Sequence, residues 1–286
     1  MIFFSDLDGT FLDSRKHVPA RSWEALDAIA RAGDLFVPCS GRPLAGIPHE
    51  ILAHPAVRFA VSANGACVSE LDPAHPGAAS ARTLHTALLT RAHALACWEL
   101  ARDRDVTFDV FADGTCYLRR DLYERIDEFA GDPYMAQSMR DTRTPVDEGA
   151  PATIARVRQL ERVSMYWHDP RDRAELTEAL STMEGIDLTR SYPMNIEVME
   201  AGASKGAALA WLCGHLGIAV ENAVAFGDNL NDLSMILAAG TGVAVANAEA
   251  EVRSSADAVC ASNDEAGVGA FILERYAQGP AHAPRA

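Results

Sequence analysis

Asp6 and Asp8 stand one residue apart directly behind the apolar run Met1 to Phe4, and Gly9 follows them at once. An apolar run ending in acids and a glycine reads as a buried strand that turns at its carboxyl end. Two carboxylates so spaced, on backbone still partly extended, can both reach one metal ion or one phosphate, and Gly9 lets the chain turn sharply beside them. Three further places put polar groups at a strand end or a helix start: Ser40 with Gly41, Lys205, and Asp228 with Asn231 and Asp232. Each has an ordinary structural alternative, as a helix cap, a turn residue or a solvated first-turn lysine. Their joint order is harder to explain that way, because in a doubly wound sheet all four converge on one edge.

Phosphoryl transfer is the chemistry that suits this set. Its transition state spreads charge over equatorial oxygens, so positioning and electrostatics supply most of the catalysis. Magnesium takes hard oxygen ligands and keeps waters, so Asp6 and Asp228 with a backbone carbonyl near Asp8 would suffice to hold it. An attacking Asp6 would form an aspartyl-phosphate, splitting one difficult displacement into two. Asp8 is then placed to protonate the leaving oxygen and later to activate water. The Ser40 hydroxyl, the Gly41 amide and the Lys205 ammonium are candidates to hold the phosphate oxygens.

The elements around these groups alternate. A helix is expected from Pro19 to Gly33, a strand over Leu35 to Pro38, a helix from about Pro43 to Ala53, and a strand over Val57 to Ser62 with a hairpin partner at Ala66 to Ser69. Alternation of this kind implies right-handed crossovers and a parallel sheet. The Pro, His, Gly, Ala and Ser of Leu71 to Ala81 read as a linker. A second α+β unit follows, with a helix from about Thr86 to Arg102, a hairpin across Asp113-Gly114, a strand at Val163 to Trp167 and a helix over Arg171 to Met183. The core resumes with the strand Asn195 to Met199, the helix Ala207 to Leu216, the strand Ala223 to Phe226, a helix ending near Gly240, and a last core strand at Val243 to Val245. A helix from about Glu265 to Tyr276 precedes a Pro- and Ala-rich tail expected to be disordered. The expected fold is thus α/β, a Rossmann-like doubly wound parallel sheet formed by residues 1–81 and 191–286, with an inserted α+β cap over 82–190.

The 286 residues carry a formal charge of -15, a field that repels nucleic acid and anionic membranes and repels phosphates as well. A phosphorylated substrate would therefore need a local cation. Of 25 basic residues only Lys16 and Lys205 are lysine, which singles out a compact ammonium at 205. Six scattered cysteines show no metal spacing and read as reduced, mostly buried thiols. No stretch approaches a membrane span, so a soluble, cytoplasmic protein is expected, without nucleic-acid or membrane partners and as a monomer or homodimer. Competing motifs fail on spacing. Cys39 has Ala45 where a cysteine-phosphatase loop needs arginine, Gly9 comes too early for a calcium loop, and Gly240-Thr241-Gly242 precedes a strand.

Asp6-Leu7-Asp8-Gly9-Thr10, Ser40-Gly41-Arg42, Ser204-Lys205-Gly206 and Gly227-Asp228-x-x-Asn231-Asp232 resemble, in order, the four motifs of the haloacid dehalogenase-like superfamily. Ser62-Ala63-Asn64-Gly65-Ala66, Gly242 to Ala248 and Ser262 to Val268 extend the resemblance to its Cof-type hydrolases, whose large α/β cap closes over the site. The resemblance implies a magnesium-dependent phosphatase acting on small phosphorylated metabolites. It implies Asp6 as nucleophile and Asp8 as acid and base, with metal at Asp6, Asp8 and Asp228; Asp232 is a further metal candidate. Phosphate or substrate contacts are implied at Ser40, Gly41, Lys205 and Asn231, and Thr10 and Arg42 are further candidates for such contacts. Glu200-Ala201-Gly202 departs from the Pro-Lys-Gly that often precedes the lysine motif. A phosphomutase or phosphotransferase is the nearest alternative, and a non-catalytic metabolite-binding regulator the alternative of a different class. Tyr166, Trp167, Arg190, Tyr192 and Asn195 are candidates to touch a leaving group.

Overall fold

The computed structural model describes residues 1–278; the expected disorder of the tail after Tyr276 falls almost entirely outside them. Five parallel strands form the core sheet, in the order Ala258–Cys260, Thr241–Val245, Ala223–Gly227, Ile2–Ser5 and Leu35–Pro38. The opening strand lies between two neighbours because it is apolar at every position. Ile2 and Phe4 pack on one face with Leu209, Leu212 and Met235, and Phe3 packs on the other with Leu26, Ile29 and Ile272, the period of two that a strand dictates. Helices Ala20–Ala32 and Gly267–Ala277 cover one face, and Lys205–Leu216 and Leu233–Ala238 the other. The carboxyl ends of the strands therefore gather at one edge, where loops after residues 5, 38 and 227 begin.

An antiparallel sheet of Phe59–Ser62, Cys67–Glu70 and Arg82–Thr86 flanks the core, joined to it through the Cys39–Val61 bridge. The cap is a six-stranded sheet in the order Ile186–Thr189, Asn195–Glu200, Leu160–Tyr166, Asp109–Ala112, Thr115–Arg119 and Arg143–Val146, antiparallel except for its last pair. Helices Arg91–Ala101, Ala150–Arg156 and Pro170–Ser181 bury one of its faces.

Several elements differ from expectation. The helix expected from Thr86 is preceded by the strand Arg82–Thr86 and begins at Arg91, where Thr90 caps it by accepting the amide hydrogen of His93. The chain from Pro43 to Ala53 is a single 3-10 turn and a four-residue helix, because Pro48 removes an amide and forces Ile47 to be extended. The core has a strand beyond Val245, the three-residue Ala258–Cys260 at its edge. Asn195–Glu200 pairs in the cap sheet, and Arg82–Thr86 pairs beside the core, so strand pairing reaches across both expected crossover points. All six cysteines are free thiols, five of them buried.

Candidate active site

The amide of Asp6 donates to the Phe226 carbonyl at 3.0 Å, carrying the strand pairing one residue past Ser5 and fixing where the side chain leaves the sheet edge. That side chain meets Lys205, the first residue of its helix. Lys205 is fully buried, and its Nζ donates to Asp6 Oδ1 at 2.5 Å and to Asp232 Oδ1 at 2.6 Å. A cation at a helix amino terminus opposes the helix dipole, and burial further disfavours it. The two carboxylates outweigh both effects and hold the ammonium charged, its pKa above the usual lysine range.

Asp232 has no free oxygen: Oδ1 takes Lys205, and Oδ2 takes the amides of Asp228 at 2.9 Å and Asn229 at 3.0 Å. Asp228 is held from the other side by the Thr10 hydroxyl, 2.6 Å from its Oδ1. Gly9 makes this approach workable. Its φ is +86°, and a Cβ there would sit 2.6 Å from Asp228 Oδ2. Oxygens of Asp6, Asp228 and Asp232 lie within 4.8 Å of one another. Burial pushes Asp6 up to about 7, with Lys205 opposing and the neighbouring acids reinforcing the rise. Burial and the same neighbours push Asp228 well above the carboxylate range. Two buried carboxylates and the half-buried Asp228, facing one ammonium, are short of positive charge. An all-oxygen set of this kind suits a hard divalent ion.

Asp8 faces the other way. Arg42 grips it with two parallel hydrogen bonds of 2.7 Å, and Lys16 Nζ lies 2.8 Å from Oδ1. Burial alone would raise its pKa; the guanidinium and the ammonium overcome this and hold it well below the usual range. Ser40 is buried, its Oγ accepting the Arg42 amide at 3.1 Å, and the Gly41 carbonyl accepts from Arg162 of the cap at 2.7 Å. Asn247 and Asn263 pin the loop after Asp8 by donating to the carbonyls of Gly9 and Leu12.

These groups open onto a cavity of about 550 Å³ between core and cap. Asp6, Asp8, Ser40, Gly41, Arg42, Asp228 and Asn231 line it from the core, and Phe111, Arg143, Arg162, Tyr166, Tyr192 and Glu197 are among its cap residues. Lys205, Asp232 and Thr10 stand behind that wall, so none of the three, expected at metal or phosphate, borders the open space. Of the leaving-group candidates, Tyr166 and Tyr192 line the cavity. Trp167 is buried in the cap core, Arg190 pairs with Glu249 at 2.7 Å, and Asn195 borders a separate cavity beyond Trp167. Sequence reasoning passed over Lys16, Arg143, Arg162 and Glu197. Lys16, one of two lysines, carried a compositional signal; the other three sit at unremarkable strand positions.

The chain matches the haloacid dehalogenase-like hydrolase family over residues 3–272. Pyridoxal phosphate phosphatase YbhA of Escherichia coli is 27% identical over 273 residues, covering 93% of this chain and 95% of that protein. The 5-amino-6-(5-phospho-D-ribitylamino)uracil phosphatase YcsE of Bacillus subtilis is 44% identical over 100 residues, which are 35% of this chain and 40% of its own length. A solved haloacid dehalogenase-like hydrolase from Bacillus subtilis superposes with a TM-score of 0.81 at 27% identity, covering 95% of this chain and 98% of that one. Since the matched residues run through both the parallel core and the cap sheet, the chain as a whole belongs to the haloacid dehalogenase-like hydrolase family.

Proposed function

We propose that the protein is a magnesium-dependent phosphatase that hydrolyses small phosphorylated metabolites through an aspartyl-phosphate on Asp6. The observation that carries this reading is the pairing of Asp6 with a fully buried lysine, beside Asp228 and at the wall of a cavity that Asp8 also faces. Asp6 and Asp228 would hold the ion, which when bound offsets the charge of an incoming phosphate and of the attacking carboxylate. Asp232, with both oxygens committed, serves better as the anchor of Lys205 and of the 228–229 backbone.

Lys205 fixes Asp6 Oδ1, leaving the other carboxylate oxygen to attack phosphorus. The ester bond then breaks, and the leaving oxygen takes a proton from Asp8. A water next attacks the aspartyl-phosphate, Asp8 removes its proton, and phosphate leaves with Asp6 restored. Arg42 and Lys16 hold Asp8 as the carboxylate that the second half requires. For the first half it must acquire a proton, and a phosphate dianion drawn to the same two cations would loosen their grip and raise its pKa.

A cavity of about 550 Å³ suits a metabolite, and its aromatic and arginine lining suits a ringed or hydroxylated leaving group of the sugar or cofactor type. The relatives' named substrates, pyridoxal phosphate and a ribitylamino-uracil phosphate, fall in that class. The test is phosphate release from a panel of such esters with magnesium, by wild type and Asp6→Asn. Turnover in the wild type and none in the variant is expected. Turnover surviving in Asp6→Asn removes the nucleophile assignment, and wild-type silence across the panel removes the phosphatase reading.

A further inference from the structure

Glu197 lies on a cap strand, 1% exposed, yet its reach is into the core. Its Oε2 accepts from Asn64 Nδ2 at 2.6 Å, and Asn64 Oδ1 in turn accepts from Asn231 Nδ2 at 3.1 Å. We propose that Glu197 is a positioning residue that fixes, from the cap, the donor polarity of the Asn231 side chain at the cavity wall.

A carboxylate can only accept hydrogen bonds, whereas an amide can present either end. Glu197, paired with Arg162 at 3.1 Å, obliges Asn64 to turn its NH2 toward the cap. Asn64 then shows its oxygen to Asn231, which must answer with its own NH2, and the second hydrogen of that NH2 is left to the cavity that Asn231 lines. The same arrangement leaves Asn231 Oδ1 buried without a partner, an orientation that nothing else around it rewards. Asn64 has little freedom to adjust. It sits at φ 57°, its backbone amide donates to the Ser40 carbonyl, and its Oδ1 lies 3.0 Å from where a Gly41 Cβ would be. Arg162 completes the link by donating to the Gly41 carbonyl, so both partners of one cap ion pair address the proposed phosphate cradle. An anion in the cavity needs donors, and a flipped Asn231 would offer it an oxygen.

The use of the Asn231 donor rests on the phosphatase reading, but the relay of polarity does not, and the two are tested separately. Glu197→Gln keeps shape while allowing the relay to invert. Inorganic phosphate, measured as a competitive inhibitor and by calorimetry with magnesium, should bind about 10-fold more weakly to Glu197→Gln, the size of one lost hydrogen bond to a charged group. Asn231→Ala should lose a similar factor, and the double variant no more than Asn231→Ala alone. Unchanged phosphate affinity in Glu197→Gln, or losses that multiply in the double variant, would overturn the proposal. In the 15N-labelled wild type, the side-chain amide hydrogens of Asn64 and Asn231 should exchange slowly; exchange at free rates refutes the relay even if the variants do not fold. Wild-type protein that shows slow exchange but binds no phosphate would leave the relay standing and remove the phosphatase reading instead.

Discussion

Replacing Lys205 by Met should expose the charge deficit on which the site depends. The ammonium is the partner of both Asp6 and Asp232, all three groups are buried, and Asp228 lies beside them. Removing one member of a buried ion pair costs about 3–5 kcal/mol, since the remaining charge has neither water nor partner. At about 2–4 °C per kcal/mol for a chain of this size, the melting temperature should fall by roughly 10 °C in chelator at pH 8. The loss should depend on pH in one direction. Burial already raises Asp6 to about 7 in the native protein. Without Lys205 its native pKa rises further, so the folded state holds a proton that the unfolded chain releases near 4. Stability of the variant is then fullest below that value and drains away as pH rises through the native pKa. The gap from wild type should narrow by pH 5.5. Magnesium at 100 times its dissociation constant should return about 2.7 kcal/mol at pH 8 if it binds only the folded state. Thermal unfolding at pH 5.5 and 8, with chelator and with magnesium, reads all three effects. A variant that melts with the wild type, or whose deficit is the same at both pH values, would refute the claim that Lys205 compensates buried carboxylates.

Two other substitutions probe the loop that follows. Gly9→Ala places a side chain at φ +86°, a strain of about 1–2 kcal/mol, and drives its Cβ to 2.6 Å from Asp228 Oδ2. A several-fold rise in the magnesium needed for half-maximal activity is expected, and unaltered magnesium dependence would show that Asp228 does not need its present position. Arg42→Met releases the two-pronged grip on Asp8, which keeps that acid below its usual range against burial. A depressed acid contributes stability above its unfolded pKa and loses it as pH falls through the folded one. The variant should therefore melt below wild type at pH 7, with the difference shrinking below about pH 4; a difference that is constant with pH would mean the pair contributes no charge pairing.

The parallel core was legible because each of its central strands is an unbroken apolar run ending in a turn motif, as at Ile2–Ser5 and Ala223–Gly227. The motif residues were legible for the same reason, since strand ends of a doubly wound sheet share an edge whatever the cap does. What was hidden has two sources. Arg82–Thr86 is partly exposed and follows a stretch rich in Pro and Gly, so its pairing with Cys67–Glu70 lacks any apolar pattern. Glu197 and Arg162 are charged residues inside strands and Arg143 opens one, and their burial is paid for by partners far away in sequence: Asn64, Gly41 and Asp109. Periodicity cannot report such partners. Thr10 and Asp232 show a subtler limit, because a motif marks which residues serve a site but not whether they face the ligand or stand behind those that do.

That distinction decides how a chain of charge -15 can admit a phosphate at all. Six acids and four bases line the cavity, so its walls alone repeat the repulsion of the whole molecule. The bases are largely spoken for: Lys16 and Arg42 by Asp8, Arg143 by Asp109, Arg162 by Glu197. Lys205 is behind the wall and shared between two acids. Among the described residues that line the cavity, no fixed side chain is left to neutralise an incoming dianion without abandoning a carboxylate, and an abandoned buried carboxylate is costly. A divalent cation at Asp6 and Asp228 would resolve this, because it would neutralise Asp228, which pairs only with the Thr10 hydroxyl, and add to the ammonium that Asp6 shares with Asp232, turning the local field attractive where the phosphate must sit. Phosphate binding should accordingly be conditional on the metal, with chelator weakening it far more than a rise in ionic strength does. Calorimetric titration of inorganic phosphate with and without magnesium checks this, and equal affinity in both would mean that the basic residues, not the ion, carry the anion.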